Sequence, residues 1–304
     1  MRALVTGASG FVGQYLTSAL GEAGYDVHSA GGPHDDGMPA IDLADVATMH
    51  AALELARPDV VFHLAAQTFV PDAIASPLAT YDTNVLGTAR LLDALRAYRN
   101  RTGVNPRLLF TSSAEVYGAQ EPEAFPLTES LASHPANPYA ASKAAAEAVV
   151  LAEVRSYGID AVVTRAFNHI GPGQSERFVV PAFAKQLARI AAGGDPKLFV
   201  GNLNAQRDFL DVRDVVAAYV ALASDGTAGA IYNVCSGTPV SIQSVLRELI
   251  FIARVPVEVR EDPERMRPSD VPVFYGNNAA LRAATNWSPR IPLRQSLRDI
   301  FQSL

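Results

Sequence analysis

The 304-residue chain has almost no cysteine. Cys235 is the only one, so neither an intrachain disulfide framework nor a metal site built from thiolates is expected. The sequence also lacks an apolar stretch of the roughly 20 residues that a membrane-spanning helix needs. Gly7 and Gly10 interrupt the first apolar run too early for a signal peptide. We therefore expect a soluble, cytoplasmic protein that binds no metal and no membrane.

Basic residues are scarce and scattered. Lys and Arg total 25 against 31 Asp and Glu, which gives a formal net charge of −6. A chain without a basic cluster is a poor partner for the anionic surface of a nucleic acid, so we expect no nucleic acid partner. Hydrophobic residues make up 49% of the chain, and this length suits one or two domains with a large core.

Apolar, strand-like runs alternate with helical patterns through the first half of the chain. This alternation predicts right-handed βαβ units and a parallel sheet. The near-continuous apolar strands indicate that helices cover both faces of that sheet. We therefore predict an α/β fold with a doubly wound parallel sheet and a smaller C-terminal α/β lobe. The predicted strands are 2–6, 25–30, 59–66, 107–113 and 159–167, and the predicted helices are 11–24, 45–56, 79–98 and 138–156.

Beyond residue 167 the pattern changes to shorter elements separated by loops rich in Gly and Pro. Helices are predicted at 183–192 and 212–223, and strands at 198–203 and 230–234. This order indicates that the chain crosses between two lobes more than once. We predict one domain from residues 1–166 and about 206–234, and a second from about 167–205 and 235–304.

The first predicted strand leads into a glycine-rich turn, residues 6–13 (TGASGFVG). Gly7 permits a tight turn, Gly10 lets backbone approach a pyrophosphate, and Gly13 allows the helix to pack closely on the strand. The helix N-terminus then offers free N–H groups to phosphates. Such a turn can be purely structural, but at the start of a strand–turn–helix unit it favours a dinucleotide in a Rossmann-type domain. The predicted cofactor contacts in this turn are Gly7, Ser9, Gly10, Phe11, Val12 and Gly13.

A serine, a tyrosine and a lysine form a candidate catalytic group. Tyr139 and Lys143 are four residues apart on a predicted helix and share a face. A nearby ammonium lowers the pKa of a phenol, so Lys143 is expected to tune Tyr139. Ser113 ends the fourth predicted strand and can hydrogen-bond a substrate oxygen. Tyr139 is then the proton donor to a carbonyl that receives a hydride. Alternatively, Tyr139 and Lys143 could be two solvent-exposed residues of a helix without a catalytic role.

With these motifs in this order, the chain resembles the extended short-chain dehydrogenase/reductase family. The resemblance implies that Ser113, Tyr139 and Lys143 are catalytic and that Tyr139 and Lys143 also contact the cofactor. Asp42 could alternatively be a helix cap or a loop carboxylate, and His63 is favoured as a packed core residue. The further cofactor contacts implied are Asp42, Leu43, Leu64, Ala65, Ala66 and Asn84.

Three later motifs extend the resemblance over essentially the whole chain. They are 167–174 (FNHIGPGQ), 201–209 (GNLNAQRDF) and 267–271 (RPSDV). They look like the branch containing GDP-mannose 4,6-dehydratases and GDP-4-keto-6-deoxymannose reductases. Guanidinium groups bind a nucleotide diphosphate well, and Arg207 and Arg267 could supply them. Alternatively, Arg207 could form an internal ion pair with Asp208, and Lys185 could be a solvated helix residue. The substrate contacts implied are Gln67, Ser113, Glu115, Asn168, Val179, Lys185, Asn202, Leu203, Arg207, Arg267 and Asp270.

The reaction is predicted from two segments, the residues after Ser113 and the glycine turn. Glu115 could be the base of a 4,6-dehydratase, but Ala114 cannot supply an acid, and the glycine turn carries Ala8 and Ser9 where dehydratases usually have Gln and Asp. The resemblance therefore favours reduction of the C4 ketone of GDP-4-dehydro-6-deoxy-D-mannose to a GDP-6-deoxyhexose, GDP-D-rhamnose. A GDP-mannose 4,6-dehydratase and a nucleotide-sugar 4-epimerase stay as alternatives.

The cofactor and the oligomeric state are expected from the resemblance alone. The segment after the second predicted strand, 28–36 (HSAGGPHDD), has no arginine for a 2′-phosphate, and its carboxylates come late. NADPH is slightly favoured and NADH stays open. The alanine-rich helices 79–98 and 138–156 correspond to helices that pair as a four-helix bundle in this family, which implies a homodimer.

Overall fold

A computed structural model describes residues 1–32, 40–265 and 271–304. It contains a six-stranded sheet, a four-stranded sheet and a two-stranded sheet within these residues. The strands are β1 Arg2–Thr6, β2 Asp26–Ala30, β3 Val60–His63, β4 Arg107–Ser113, β5 Ala161–Ala166, β6 Asn168–Ile170, β7 Lys197–Val200, β8 Gln206–Asp211, β9 Ile231–Val234, β10 Pro239–Ser241, β11 Glu258–Glu261 and β12 Val273–Phe274.

Helices connect most of these strands. They are α1 Phe11–Glu22, α2 Val46–Ala56, α3 Val70–Ala75, α4 Pro77–Tyr81, α5 Gly87–Thr102, α6 Pro138–Tyr157, α7 Val179–Ala191, α8 Val212–Asp225, α9 Ile242–Ala253, α10 Ala279–Thr285 and α11 Leu293–Gln302. A π-helical turn spans Asp82–Leu86, and 3₁₀ turns span Ala114–Tyr117, Pro122–Ala124 and Pro263–Arg265. No helix among the described residues is long and apolar enough to cross a membrane.

The large sheet has the strand order β2-β1-β3-β4-β5-β9, and every neighbouring pair is parallel. Helices α1 and α8 bury Leu16 and Val215 on one face. Helices α2, α5 and α6 bury Leu53, Leu91 and Val150 on the other. Both faces are therefore covered, which confirms the predicted doubly wound parallel sheet and explains the near-continuous apolar runs of its central strands.

The smaller lobe is built around β8, which pairs with β6, β10 and β12. Its core includes Phe183, Leu246 and Leu297, from α7, α9 and α11. The chain leaves the large sheet after β5 and returns to it with α8 and β9. The sequence predicted that the chain returns to the first domain at about residue 206. In the structure it returns only after β8, which belongs to the small sheet.

Several predicted element boundaries shift. The predicted helix 79–98 is divided into α4, the π turn and α5. The predicted strand 159–167 corresponds to the shorter β5, and the strand that follows it, β6, was not predicted. Helix α7 begins at Val179, earlier than the predicted residue 183. Phe178 caps α7 without a side-chain hydrogen bond, so no capping signal marked this helix start in the sequence.

Candidate active site

A cavity of about 1280 Å³ lies at the carboxyl ends of β1, β3 and β4, between the large sheet and the smaller lobe. This is the edge of an open α/β sheet where ligands are expected to bind. The glycine turn, the segment after β3 and the end of β4 form one wall. The opposite wall comes from β6, the start of α7 and residues near 201–209.

The glycine turn forms a backbone cradle at one end of this cavity. Gly7 has a φ of +71°, and a Cβ there would lie 2.8 Å from the Ala65 nitrogen. A Cβ on Gly13 would lie 2.2 Å from the Gly7 oxygen. Gly10 is the N-cap of α1, and it has extended backbone and no side-chain hydrogen bond. No side chain therefore caps the first N–H groups of this helix. The cradle has the shape and the N–H donors that a dinucleotide pyrophosphate requires.

Most of the predicted cofactor contacts line the cavity. They are Gly7, Ser9, Gly10, Phe11, Val12, Gly13, Asp42, Leu43, Leu64, Ala65, Ala66 and Tyr139. The Asp42 carboxylate also accepts a hydrogen bond from the Ala44 nitrogen at 2.8 Å, so it is a loop carboxylate at the cavity wall. His34, Asp35 and Asp36 lie outside the described residues.

Asn84 is buried beneath the cavity and is not part of its wall. Its amide exchanges two hydrogen bonds with the Gln67 backbone, at 2.8 and 2.9 Å, and donates to the Ser142 hydroxyl at 2.9 Å. Asn84 therefore ties the segment after β3 to α6, which differs from the direct cofactor contact expected from the sequence. The physical reason is that these bonds already engage both ends of its short amide.

The candidate catalytic residues meet where β4 ends. Ser113, Glu115 and Tyr139 line the cavity, and Tyr139 hydrogen-bonds Ser113. Asn137 caps α6 by accepting from the Ala140 nitrogen at 2.9 Å, and its amide donates to Glu115 Oε2 at 3.3 Å. The start of α6 therefore holds the tyrosine and the glutamate at the same point of the wall.

Lys143 is buried below Tyr139 and does not line the cavity. Its Nζ donates to the Thr111 carbonyl at 2.8 Å. Burial lowers the pKa of Lys143 to about 8, while the charge of Glu147 raises it. Burial also lowers the pKa of His63 to about 3, and the charge of Lys143 contributes less to this shift.

Burial raises the pKa of Tyr139 to about 12, although the Ser113 hydrogen bond lowers it and the charge of Glu115 adds to it. Lys143 is not among these causes, so its expected tuning of Tyr139 is not seen. The lysine ammonium is directed to the Thr111 carbonyl. Tyr139 is half-buried at the cavity wall and carries its proton at neutral pH.

The predicted substrate contacts divide into three groups. Gln67, Ser113, Glu115, Asn168, Val179, Asn202 and Arg207 line the cavity. Leu203 and Lys185 do not: Leu203 packs against the core of the smaller lobe, and Lys185 Nζ lies 2.5 Å from Glu176 Oε2. Arg267 and Asp270 lie outside the described residues.

Arg207 is anchored by backbone, because its Nη1 donates to the Val271 and Gln206 carbonyls at 2.7 and 2.8 Å. The neighbouring Asp208 is buried and accepts from the Ser236 and Gly237 nitrogens at 2.7 and 2.9 Å. Arg207 thus has a fixed stem at the cavity wall, and Asp208 holds the turn after β9.

Sequence reasoning missed one feature of the wall, a clasp formed by Phe69, Asp72, Arg177 and Phe178. The Arg177 guanidinium bonds both Asp72 oxygens, at 2.9 and 2.6 Å, and lies 3.7 Å from the Phe69 ring centre. The Phe69 and Phe178 rings meet edge to face at 5.8 Å. Asp72 and Arg177 are 105 positions apart, so no local pattern could have identified the pair.

Comparisons with known proteins identify the family of this chain. The family model described as GDP-mannose 4,6 dehydratase matches residues 4–300. GDP-6-deoxy-D-mannose reductase from Pseudomonas aeruginosa is 43% identical over 300 residues, covering 98% of this chain and 95% of that protein. GDP-6-deoxy-D-talose 4-dehydrogenase from Aggregatibacter actinomycetemcomitans is 32% identical, covering 92% of this chain and 90% of that protein.

Among solved structures, RMD from Pseudomonas aeruginosa complexed with NADPH superimposes with a TM-score of 0.90 at 41% identity, and the match covers 100% of this chain and 98% of that one. The match of the family model over nearly the full length, together with these relatives, confirms the resemblance predicted from the motifs. The chain therefore belongs to the GDP-mannose 4,6 dehydratase family, a branch of the extended short-chain dehydrogenases/reductases.

Proposed function

We propose that the protein reduces the C4 ketone of GDP-4-dehydro-6-deoxy-D-mannose to a GDP-6-deoxyhexose, GDP-D-rhamnose, with NADPH as reductant. The observation that carries this proposal is the 43% identity to GDP-6-deoxy-D-mannose reductase along 98% of the chain. The candidate catalytic residues supply the matching chemistry, because a tyrosine protonated at neutral pH faces the cavity beside a serine hydroxyl.

NADPH is the cofactor bound in the RMD structure, and the glycine cradle of this chain fits such a dinucleotide. When bound, a reduced nicotinamide supplies the hydride. The N-terminus of α1 would hold the pyrophosphate, Asp42 and Leu43 would border the adenine end, and Ala65 and Ala66 would lie along the middle of the cofactor. The requirement for a reduced nicotinamide also favours the cytoplasm as the site of the reaction.

Tyr139 is proposed as the general acid. Its pKa of about 12 keeps the phenol protonated until negative charge develops on the C4 oxygen, and it then donates its proton there. Ser113 donates a hydrogen bond to the same oxygen and orients the phenol. The Ser113 hydrogen bond lowers the pKa of Tyr139 and so favours the phenolate left after transfer. Lys143, held by the Thr111 carbonyl, places a positive charge below Tyr139.

The substrate diphosphate is proposed to lie between Asn168 and Arg207, which both line the cavity. The Asn168 amide donates to phosphate oxygens, and the Arg207 guanidinium supplies positive charge. Gln67 and Val179 would contact the sugar, and Asn202 the base end. Glu115 orients the hexose, and its carboxylate is also the group that a dehydratase would use as base.

The test incubates the purified protein with GDP-4-dehydro-6-deoxy-D-mannose and NADPH. We expect the NADPH absorbance to fall and NMR to identify GDP-D-rhamnose, with Tyr139→Phe lowering turnover at least about 100-fold at unchanged GDP affinity. NADH serves as the cofactor control. A 4-keto sugar formed from GDP-mannose without added reductant would identify a dehydratase, and interconversion of C4 epimers a 4-epimerase. The C4-epimeric product, GDP-6-deoxy-D-talose, would refute the rhamnose assignment.

We further propose that the protein is a homodimer in which α5 and α6 of each subunit form a four-helix bundle. The two helices lie side by side and are joined by Arg96 and Glu153, at 3.1 Å. The outer face of α6 exposes the small residues Ala145, Ala148 and Ala152. Small side chains let a second helix approach closely, so this face suits helix–helix packing.

A further inference from the structure

A buried ion pair lies two helical turns below the proposed acid. Arg165 of β5 donates from Nε and Nη2 to the Glu147 carboxylate of α6, at 3.0 and 2.7 Å. The two side chains are 5% and 4% exposed. Every other ion pair found among residues 1–32, 40–265 and 271–304 has at least one partner that is clearly more exposed.

Stability alone does not explain this pair. Removing two charges from water costs several kcal/mol per ion, and apolar residues of similar volume often serve a core equally well or better. In the part of the chain that the structure describes, Arg165 Nη1 also lacks a hydrogen-bond partner, which adds to the cost of burial. We therefore ask which active-site elements the Glu147–Arg165 ion pair contacts.

The Glu147 end acts on the catalytic helix. Tyr139, Lys143 and Glu147 follow one another at intervals of four residues on α6, so they share a face. The charge of Glu147 raises the pKa of Lys143 against the effect of burial. His63, facing Lys143 from β3, is neutral above about pH 3, and β4 contributes the uncharged Thr111 carbonyl. Glu147 is therefore the anion that supports the Lys143 ammonium.

The Arg165 end acts on the turn that carries the serine. The Arg165 guanidinium lies 4.7 Å from the centre of the Tyr117 ring. Tyr117 ends the 3₁₀ turn that begins after Ser113, and its hydroxyl donates to Asn233 Oδ1 at 2.7 Å. The ion pair thus joins α6, β5 and this turn, the elements that place Tyr139, Lys143 and Ser113.

We propose that Glu147 and Arg165 are positioning residues of the reductase: Glu147 holds Lys143 as an ammonium below Tyr139, and Arg165 neutralises Glu147 and fixes the Ser113 turn against α6. Neither residue touches substrate or cofactor. The catalytic meaning of this proposal rests on the proposed function. The charge of Lys143 can be measured without substrate, so the positioning proposal and the proposed function can fail separately.

The chain has only three lysines, Lys143, Lys185 and Lys197, so NMR of protein labelled with ¹³C at lysine Cε gives three signals. Lys143→Arg assigns the Lys143 signal. We expect it to titrate near the pKa of about 8 given by burial. Glu147→Gln should lower that midpoint by about 1 pH unit, whereas Arg165→Gln should raise it by leaving Glu147 without its neutralising partner.

Glu153→Gln is the matched control, because Glu153 lies on the same helix and pairs with Arg96 at its outer side; it should leave the Lys143 midpoint unchanged. The double variant Glu147→Gln/Arg165→Gln leaves no unpaired buried charge and should fold where a single variant fails, with a lowered midpoint. In the reductase assay, the alkaline limb of kcat should move with the NMR midpoint. An unchanged Lys143 midpoint in Glu147→Gln, or in the double variant, would overturn the proposal.

Discussion

His63 illustrates how burial decides the charge of a residue near the active site. Its Nδ1 lies 2.8 Å from the Thr6 hydroxyl and its Nε2 lies 3.2 Å from the Thr88 hydroxyl, so the ring joins β3 to β1 and α5. Burial, with a smaller contribution from Lys143, lowers the pKa of His63 to about 3. The ring is therefore a neutral core residue, as the sequence favoured.

This pKa predicts how stability depends on pH. The unfolded chain binds a proton at His63 below about pH 6.5, whereas the folded chain does not until about pH 3. The stability contributed by neutral His63 is complete above pH 6.5 and is lost as pH falls. Between about pH 7.5 and pH 5.5 the free energy of unfolding should decrease by about 1.4 kcal/mol from this residue.

His63→Asn should remove that part of the pH dependence, since Asn keeps a donor and an acceptor but does not titrate. Urea unfolding at the two pH values measures the difference between the parent and the variant. His134→Asn, at an exposed site, is the control and should keep the pH dependence of the parent. Equal slopes for the parent and His63→Asn would contradict the neutral core assignment.

At the residue scale, predictions from sequence depended on separation along the chain. Tyr139 and Lys143 are one helical turn apart, so their spacing carried the information. Lys185 was expected to contact the substrate or to be solvated, and it pairs instead with Glu176, nine positions earlier. Arg177 was missed because its partner, Asp72, comes from α3, 105 positions earlier in the chain. Contacts between the lobes depend on how the chain folds back, and that leaves no periodic trace.

At the element scale, the start of α1 depends on one close approach. A Cβ on Gly13 would meet the Gly7 oxygen at 2.2 Å and the Ala8 Cα at 2.7 Å. Both are backbone atoms that cannot rotate away. The helix can therefore contact β1 only because this position has no side chain, and the same contact sets the shape of the cradle.

We predict that Gly13→Ala lowers the free energy of unfolding by about 1–3 kcal/mol and weakens NADPH binding, because α1 must move away from the cradle. Gly21→Ala is the matched control in the same helix, where a Cβ would meet nothing within 4 Å; it should stabilise the protein by up to about 1 kcal/mol. Thermal unfolding and NADPH fluorescence titration measure both effects. Unchanged NADPH affinity in Gly13→Ala would refute the role of this contact.

The order and type of the elements in the large sheet followed from the sequence, because the central strands are near-continuous apolar runs that alternate regularly with helical segments. The π turn Asp82–Leu86 was not predicted. It comes between two helical segments, where a shift from an i−4 to an i−5 hydrogen bond changes no hydrophobic pattern. Strand β6, Asn168–Ile170, was also missed, because two of its three residues are polar and its pairing partner, β8, comes about 40 positions later.

At the scale of the whole molecule, the net charge of −6 says little about the site. Arg177, Arg207 and Arg265 line the cavity of an acidic chain. Their stems are fixed by Asp72, by backbone carbonyls and by Asp262 respectively. The proposed diphosphate site therefore needs only a few oriented donors and a helix N-terminus, and it does not require a positive net charge.

The proposed dimer gives a prediction at the same scale. Ala148 is exposed on the outer face of α6, where a facing helix of the second subunit would leave no room for a long charged side chain. The parent should elute in light scattering at about twice its 32.3 kDa mass, and Ala148→Arg should elute as a monomer that still binds NADPH, because the cradle lies on β1 and α1. Ala51→Arg, at an exposed alanine of α2, should remain dimeric. A parent that is monomeric at micromolar concentration, or an Ala148→Arg variant that stays dimeric, would exclude a bundle centred on α6.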